Sequence, residues 1–220
     1  MVKVDEFFPN FQAKTTTGPI DFYEWMENSW CLLVSYNFDF NAICTSELAK
    51  LAEMNYQFKE RNVKLIAVSC NLLHSHVEWM TDIRSYINFN NANPLPYPII
   101  SDEKCDLALE LNTLEHNLTL LNGVFKTSRA SILVDPNKRT RLSMTYPSNV
   151  GRNFDEIIRI IDALQVVDGH QGVATPAHWK AGQDVIITSN IPDNKLFAKF
   201  PYMTVKVLPS GKTRVRKTHL

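Results

Sequence analysis

Two short apolar runs, each followed by a helical pattern, constrain the fold of this 220-residue chain more than any other feature. Residues 30–36 and 63–69 are largely apolar runs of the length expected for buried strands. Residues 45–61 place apolar side chains on one helical stripe, and a second stripe of this kind follows Asn71. This β-α-β-α order predicts parallel strands joined by helical crossovers. A further helix is predicted over residues 101–112.

A predicted hairpin and a final helix complete the first part of the chain. Residues 129–135 and 140–146 flank a Pro-Asn-Lys turn and predict two antiparallel strands. Asn153, with Glu156 three residues later, forms a capping-box-like start for an apolar helix that ends near Gln165. A βαβ unit followed by ββα is the order of the thioredoxin fold, so we expect an α/β protein with that fold.

The chain beyond residue 165 differs from the rest because glycine and proline interrupt it repeatedly. Three short strands are predicted there, at residues 184–188, 204–208 and 213–216. We therefore predict two domains, a thioredoxin-like domain over residues 1–165 and a small β-rich module over residues 166–220.

The formal net charge of zero, from 23 basic and 23 acidic residues, conceals two oppositely charged parts. Residues 166–220 hold eight basic and three acidic residues, a net charge of +5. The first 165 residues hold the other 15 basic and 20 acidic residues, a net charge of −5. The main body therefore offers no basic face for nucleic acid. The split indicates two modules, or a tail that docks on an acidic surface of this chain or of a second copy.

The chain carries no sign of a membrane or secretory destination. No stretch approaches the roughly 20 apolar residues of a membrane span, and the first ten residues lack the order of a signal peptide. The four cysteines are too few for a disulfide-rich secreted protein, and none forms a Cys-x-x-Cys motif. We expect free thiols in a reducing compartment, a cytoplasmic location and no membrane partner.

Cys44 is the candidate reactive residue, because it falls in the first turn of a predicted helix that follows a buried strand. A helix N-terminus carries partial positive charge and free N–H groups, which favour a thiolate over a thiol. The alternative is that Cys44 is a small apolar residue of the core. The core explanation is favoured for Cys31 within a strand, Cys70 at a strand end and Cys105 in a helix.

Three motifs in order along the chain carry a resemblance to a known family. They are DFxxICTSEL at residues 39–48, GRNFDE at residues 151–156 and VATPxxW at residues 173–179. Together with FFPNF near the N-terminus, they resemble the 1-Cys (peroxiredoxin-6-type) peroxiredoxins over essentially the whole chain. The resemblance implies a thioredoxin-like fold whose C-terminal module supports a homodimer.

The resemblance also implies a thiol peroxidase with an antioxidant role in cell redox homeostasis. Cys44 would attack the terminal oxygen of hydrogen peroxide or an organic hydroperoxide and become a sulfenic acid. Ala174 and Thr175 stand where 2-Cys relatives have a resolving cysteine. An external thiol, glutathione or a thioredoxin-like protein, would therefore reduce the sulfenic acid. No metal or other cofactor is implied.

Five further positions take family roles by the same resemblance. Arg129 corresponds to the arginine that stabilises the thiolate and aligns the peroxide, and Glu47 to the carboxylate that orients that arginine. Arg152 corresponds to a second arginine near the substrate. Asn41 stands where the family has a threonine that bridges thiolate and peroxide, and Tyr36 stands where it has a histidine.

The active-site loop departs from the family pattern, and this leaves alternatives open. Asn37 and Ala42 replace two prolines that fix the loop and shield the thiolate. Asn41 offers amide donors and a carbonyl acceptor where threonine has a hydroxyl. One alternative is therefore a catalytically impaired protein that acts by binding or self-assembly. Another is a general thiol oxidoreductase, against which the missing Cys-x-x-Cys counts.

Overall fold

The computed structural model describes residues 2–87, 94–115, 120–121, 124–211 and 214–220. The chain forms two compact units, Met1–Arg152 and Asn153–Leu220. Among the described residues, no helix is long and apolar enough to cross a membrane.

A seven-stranded sheet with the strand order β2-β1-β5-β4-β3-β8-β9 is the centre of the first unit. The strands of this unit are β1 Gln12–Thr15, β2 Gly18–Asp21, β3 Trp30–Ser35, β4 Val63–Ser69, β5 Ile99–Ser101, β6 Leu120–Leu121, β7 Val124–Phe125, β8 Arg129–Val134 and β9 Thr140–Tyr146. β6 and β7 form a separate two-stranded ladder. The helices are α1 Phe22–Met26, α2 Ala42–Glu53, α3 Asn55–Glu60, α4 Leu73–Tyr86 and α5 Asp106–Glu110.

The predicted parallel pair and hairpin are both present. β3 and β4 run parallel, from Trp30 opposite Val63 to Ser35 opposite Val68, while β8 pairs antiparallel with both β3 and β9. Every residue of β3 and β8 is buried, which explains why β3 has no polar alternation in the sequence. Because β8 runs against β3, its first residue lies at the end where β3 leads towards α2.

The core of the first unit is formed by apolar side chains from the sheet, α1 and the N-terminal segment. Phe8, Phe22, Leu33 and Ile132 belong to it and are fully buried. Burial of one such side chain stabilises the fold by roughly 1.5–3 kcal/mol. This packing holds β3 and β8 rigidly beside each other.

Two predicted helices have different bounds in the structure. The helix predicted over residues 45–61 starts earlier, at Ala42, and divides into α2 and α3 at Met54. The helix predicted over residues 101–112 is only α5, because Cys105 adopts a left-handed conformation with φ of 60°. Asp102 caps this shorter helix, since its carboxylate accepts hydrogen bonds from two backbone N–H groups of α5, at 2.7 and 3.2 Å.

The second unit combines two helices with a four-stranded antiparallel sheet. Its elements are α6 Phe154–Gly169, β10 Val173–Ala174, β11 Val185–Ile187, α7 Asp193–Lys199, β12 Thr204–Val207 and β13 Arg214–Thr218, with strand order β10-β11-β13-β12. Asn153 caps α6 as predicted, accepting hydrogen bonds from two backbone N–H groups at 3.0 and 3.2 Å. Trp179, Val185 and Phe200 belong to a separate core of this unit.

The predicted domain boundary and the last predicted strand both differ from the structure of this unit. The predicted domain boundary at residues 165/166 falls within α6, whereas the compact units divide at Arg152/Asn153. The last predicted strand, at residues 213–216, begins outside the described residues, and β13 extends two residues beyond its predicted end.

Candidate active site

Cys44 lies in the first turn of α2, where Asn41 is the N-cap residue. The Asn41 side-chain carbonyl accepts a hydrogen bond of 3.0 Å from the backbone N–H of Cys44. The thiol is fully buried, and the partial positive charge of the helix N-terminus acts on it with little screening. The local sequence thus places the Cys44 thiol at the capped N-terminus of α2.

Arg129, the first residue of β8, reaches Cys44 from the neighbouring strand. Its Nη1 lies 3.6 Å from Sγ of Cys44, and the side chain is fully buried. Its Nη2 donates to the side-chain carbonyl of Asn37 at 2.7 Å and to the backbone carbonyl of Ser148 at 2.9 Å. Among the described residues, Nε of Arg129 has no hydrogen-bond partner.

Glu47 lies one turn after Cys44 in α2 and joins two arginines. Its Oε2 accepts hydrogen bonds from Nη1 of Arg129 and, at 2.6 Å, from Nη1 of Arg152. Its Oε1 accepts from the backbone N–H of Arg152 at 2.7 Å. Two guanidinium groups are therefore buried with one carboxylate, and the cluster has one excess positive charge beside Sγ of Cys44.

Each of the three guanidinium nitrogens of Arg152 donates a hydrogen bond to a protein acceptor. Besides Glu47, it donates from Nε to the Ser131 hydroxyl at 3.0 Å, and from Nη2 to the carbonyls of Ala130 at 2.8 Å and Ser35. Burial lowers the pKa of Arg152 to about 10, and Glu47 partly offsets this change. The guanidinium therefore stays charged near neutral pH.

The structure thus brings four of the six predicted site residues together: Cys44, Arg129, Glu47 and Arg152. Asn41 is adjacent, but its side-chain carbonyl caps α2. Tyr36 is buried, and its hydroxyl donates to Asp39 at 2.8 Å. Burial, reinforced by Asp39, raises the pKa of Tyr36 well above its usual value.

Two residues that contact Arg129 were missed in the sequence analysis. Asn37 stands where the family has a proline, and its amide donates to the carbonyl of Thr127 at 2.7 Å and so links the loop to the strand region. The substitution of a polar residue for proline was the available signal. Ser148 contributes through its backbone carbonyl, which no side-chain pattern reveals.

The other cysteines lie in hydrophobic clusters that do not include Cys44. Cys31 belongs to the main core, and Cys70 packs with Cys105 and Ala108. All four cysteines are free. Burial raises the pKa of Cys31, Cys70 and Cys105, so these thiols are poor nucleophiles near neutral pH. Within the described residues, no group of three or more His, Cys, Asp or Glu side chains could hold a metal ion.

A cysteine at a helix N-terminus, beside a buried arginine, is the arrangement expected of a thiol-dependent redox site. Two family models match the chain. The AhpC/TSA family matches residues 4–143, and the C-terminal domain of 1-Cys peroxiredoxin matches residues 163–195. The chain therefore belongs to the AhpC/TSA family, in its 1-Cys peroxiredoxin branch.

Individual relatives match almost from end to end. Peroxiredoxin-6 of Gallus gallus is 39% identical, with 96% of this chain and 94% of the relative covered. The 1-Cys peroxiredoxin of Dirofilaria immitis is 40% identical, with 95% and 93% covered. The chain is accordingly a peroxiredoxin, a thiol peroxidase.

Solved structures establish the fold. A cysteine-to-serine mutant of peroxiredoxin 6 from Arenicola marina has a TM-score of 0.93 at 38% identity, covering 100% of this chain and 98% of its own. The yeast mitochondrial 1-Cys peroxiredoxin, studied for its thiol-resolving mechanism via glutathione/thioredoxin systems, has a TM-score of 0.89 at 35% identity, with both chains fully covered. The predicted thioredoxin-like fold is confirmed.

Proposed function

We propose that Cys44 is the residue that reacts with hydroperoxide, and that the charge balance of its surroundings is the observation that carries this assignment. Arg129, Arg152 and Glu47 leave one excess positive charge in a buried cluster. A thiolate at Cys44 neutralises that charge, whereas a neutral thiol leaves it uncompensated. Burying an uncompensated charge is costly, so the cluster favours the thiolate.

The first reaction step follows from this thiolate. Sγ of Cys44 attacks the terminal oxygen of a hydroperoxide, forming an S–O bond as the O–O bond breaks. The sulfur is oxidised to a sulfenic acid, and the leaving oxygen takes a proton from solvent and departs as water or an alcohol. The Nε–H of Arg129, which has no partner among the described residues, is a donor available to peroxide oxygen, since a buried N–H without a partner is unfavourable.

The second step needs a thiol from outside the chain. Two external thiols reduce the sulfenic acid, giving back the Cys44 thiol, one disulfide and one water. The placement of Cys31, Cys70 and Cys105 in separate hydrophobic clusters supports this assignment. Glutathione or a thioredoxin-like protein is the proposed reductant, as named for the yeast relative. A cytoplasmic location stays a prediction.

The substitutions in the loop do not favour the impaired alternative. Asn37 replaces the ring of proline with a direct hydrogen bond to Arg129. Asn41 retains a cap for the helix that carries Cys44. Together with the relatives, these contacts favour the peroxidase.

A homodimer is the proposed assembly. The C-terminal 55 residues have a net charge of +5 and the preceding residues −5, so opposite parts of two copies attract each other. No nucleic acid or membrane partner is proposed. Light scattering at micromolar concentration should give twice the 25.2 kDa chain mass. A monomeric mass that does not change with salt would contradict the dimer.

Peroxide consumption tests the catalytic assignment. Purified protein, Cys44→Ser and Cys31→Ala are compared with glutathione and with thioredoxin as the reductant. We expect Cys44→Ser to lose turnover with both reductants and Cys31→Ala, which removes a core thiol, to keep it. Full turnover by Cys44→Ser, or none by the wild type with either reductant, would contradict the proposal.

A further inference from the structure

Asp39 occupies the middle of the loop that connects β3 to α2. Two residues before it, Asn37 accepts the 2.7 Å hydrogen bond from Arg129. Two residues after it, Asn41 accepts the 3.0 Å hydrogen bond from the backbone of Cys44. Asp39 therefore lies between the residue that holds Arg129 and the residue that holds the backbone of Cys44.

Four groups hold Asp39 in place. The Ser75 hydroxyl donates to its Oδ2 at 2.6 Å, and the Tyr36 hydroxyl donates to its Oδ1 at 2.8 Å. Nδ1 of His76 lies 2.9 and 3.0 Å from the two carboxylate oxygens. The backbone N–H of Asp39 donates to the Asn71 side-chain carbonyl at 3.2 Å.

His76 and Tyr36 are themselves fixed. The other ring nitrogen of His76 lies 3.2 Å from the carbonyl of Ile100, so the ring is held at both edges. The Tyr36 hydroxyl also lies 3.1 Å from Nδ1 of His76, and the backbone carbonyl of Tyr36 accepts a hydrogen bond from Thr127. The side chains of Asp39 and His76 are completely buried. A buried, fully connected polar network of this kind is rigid.

The loop needs such support because of its backbone. Phe40, directly after Asp39, has a φ of 58°, a left-handed conformation that is unfavourable for a bulky residue. Conformations of this kind persist only where the surrounding structure imposes them. The prolines that would stiffen the loop are absent, since Asn37 and Ala42 occupy those positions.

We infer that Asp39, His76 and Tyr36 are positioning residues for the reaction of Cys44 with peroxide. They hold Phe40 in its left-handed conformation and thereby keep Asn37 against Arg129 and Asn41 on the amide of Cys44. This inference rests on the proposed function. Hydrogen bonding by side chains takes over the rigidity that proline would give.

Comparing the rate constants of two reactions of Cys44 distinguishes a positioning role from a general effect on stability. Reaction with hydrogen peroxide needs an aligned Arg129, whereas alkylation by iodoacetamide needs only a nucleophilic thiol. Asp39→Asn and His76→Leu should lower the peroxide rate constant by about 10- to 100-fold, the usual effect of groups that orient a site. The alkylation rate constant should change by less than a factor of about two. A partly unfolded site would instead raise alkylation, because Cys44 is buried in the native protein.

Matched variants complete the test. His76→Asn keeps a donor near the position of Nδ1. On a logarithmic scale, it should recover at least half of the fall in the peroxide rate constant seen for His76→Leu. Tyr36→Phe should lower the peroxide rate constant. Tyr97→Phe is the control and should leave it unchanged, because it also removes a buried hydroxyl, one that donates to the carbonyl of Leu48 at 2.5 Å, but lies outside the network around Asp39. If Asp39→Asn does not fold, the two tyrosine variants decide.

The outcomes also distinguish this inference from the proposed function. If wild-type protein forms no sulfenic acid on Cys44, the proposed function fails before any variant is compared. If the wild type reacts and the variants at Asp39, His76 and Tyr36 match it, only the positioning inference is overturned. A fall of both rate constants in parallel overturns it as well.

Discussion

The side chain of Asn41 accepts a hydrogen bond from the backbone N–H of Cys44 at 3.0 Å. The residue that replaces the family's threonine is thus the N-cap of the helix that carries the proposed reactive thiol. Its carbonyl satisfies one of the free N–H groups at the start of α2. Helix capping and thiol chemistry are joined in this one contact.

Removal of this cap should affect both stability and reactivity. Asn41→Ala should cost about 1 kcal/mol of unfolding free energy, the usual value for an N-cap. It should also slow the reaction with peroxide, because the first turn of α2 loosens around Cys44. Stopped-flow fluorescence and thermal unfolding measure the two effects. Asn153→Ala removes the cap of α6 and is the control, with a similar stability cost and an unchanged peroxide rate.

Arg129 should not be replaceable by lysine. Arg129→Lys keeps the positive charge but cannot contact Cys44, Glu47 and Asn37 together, because these contacts need a planar guanidinium. We expect a fall of about 10²-fold in the peroxide rate constant, as for loss of one donor to a developing charge. Arg159→Lys, at a pair with Glu156 in the second unit, should retain the wild-type rate. Equal peroxide rate constants for Arg129→Lys and wild type would contradict the need for a planar guanidinium group at this position.

Glu47→Gln should destabilise the first unit. The carboxylate is shared by Arg129 and Arg152, and its replacement by an amide removes the one negative charge that pairs with both buried guanidinium groups. Removal of one partner from a buried ion pair costs about 3–5 kcal/mol. Urea unfolding measures this cost. Glu53→Gln, in an exposed pair with Lys50, should cost no more than about 0.5 kcal/mol, and equal costs for the two variants would refute the distinction.

Stability should fall at alkaline pH, in part because of Cys31. Burial raises the pKa of this thiol in the folded protein, while an unfolded cysteine ionises near pH 8.5. The stability contributed by the neutral buried thiol is therefore complete below about pH 8.5 and declines as the pH rises above it. Each such thiol adds a slope of up to about 1.4 kcal/mol per pH unit.

Unfolding measured between pH 8 and 10 tests this contribution. Cys31→Ala should show a shallower decline than wild type, whatever its stability at pH 7. The other buried thiols are present in both proteins, so they do not affect the comparison. Equal slopes would mean that Cys31 is not held neutral by burial.

The fold was predictable where burial alone determines the pattern. The strand predicted over residues 63–69 coincides with β4, which is buried at every position except Lys64 and is therefore largely apolar. The start of α2 was missed by three residues, since it depends on the Asn41 side chain and not on apolar periodicity. The short α7 was not predicted, because α7 lies in a segment broken by proline and has only one buried apolar residue, Leu196.

The proximity of four predicted residues of the candidate site could be predicted from the resemblance, whereas their further hydrogen-bond partners could not. The resemblance indicated Cys44, Arg129, Glu47 and Arg152, and the structure brings these side chains together. The orientation of Tyr36 was beyond sequence reasoning, because its hydroxyl contacts both Asp39 in the same loop and His76, which lies 40 positions later in the chain. A side-chain direction of this kind is set by tertiary packing, which single-residue patterns do not encode.

Trapping of the sulfenic acid tests the central claim most directly. The reduced protein is treated with one equivalent of hydrogen peroxide in the presence of dimedone, digested and analysed by mass spectrometry. The account predicts a single adduct on Cys44, its absence in Cys44→Ser, and its retention in a variant that lacks Cys31, Cys70 and Cys105. An adduct on one of those three cysteines, or peroxide consumption without an adduct on Cys44, would contradict it.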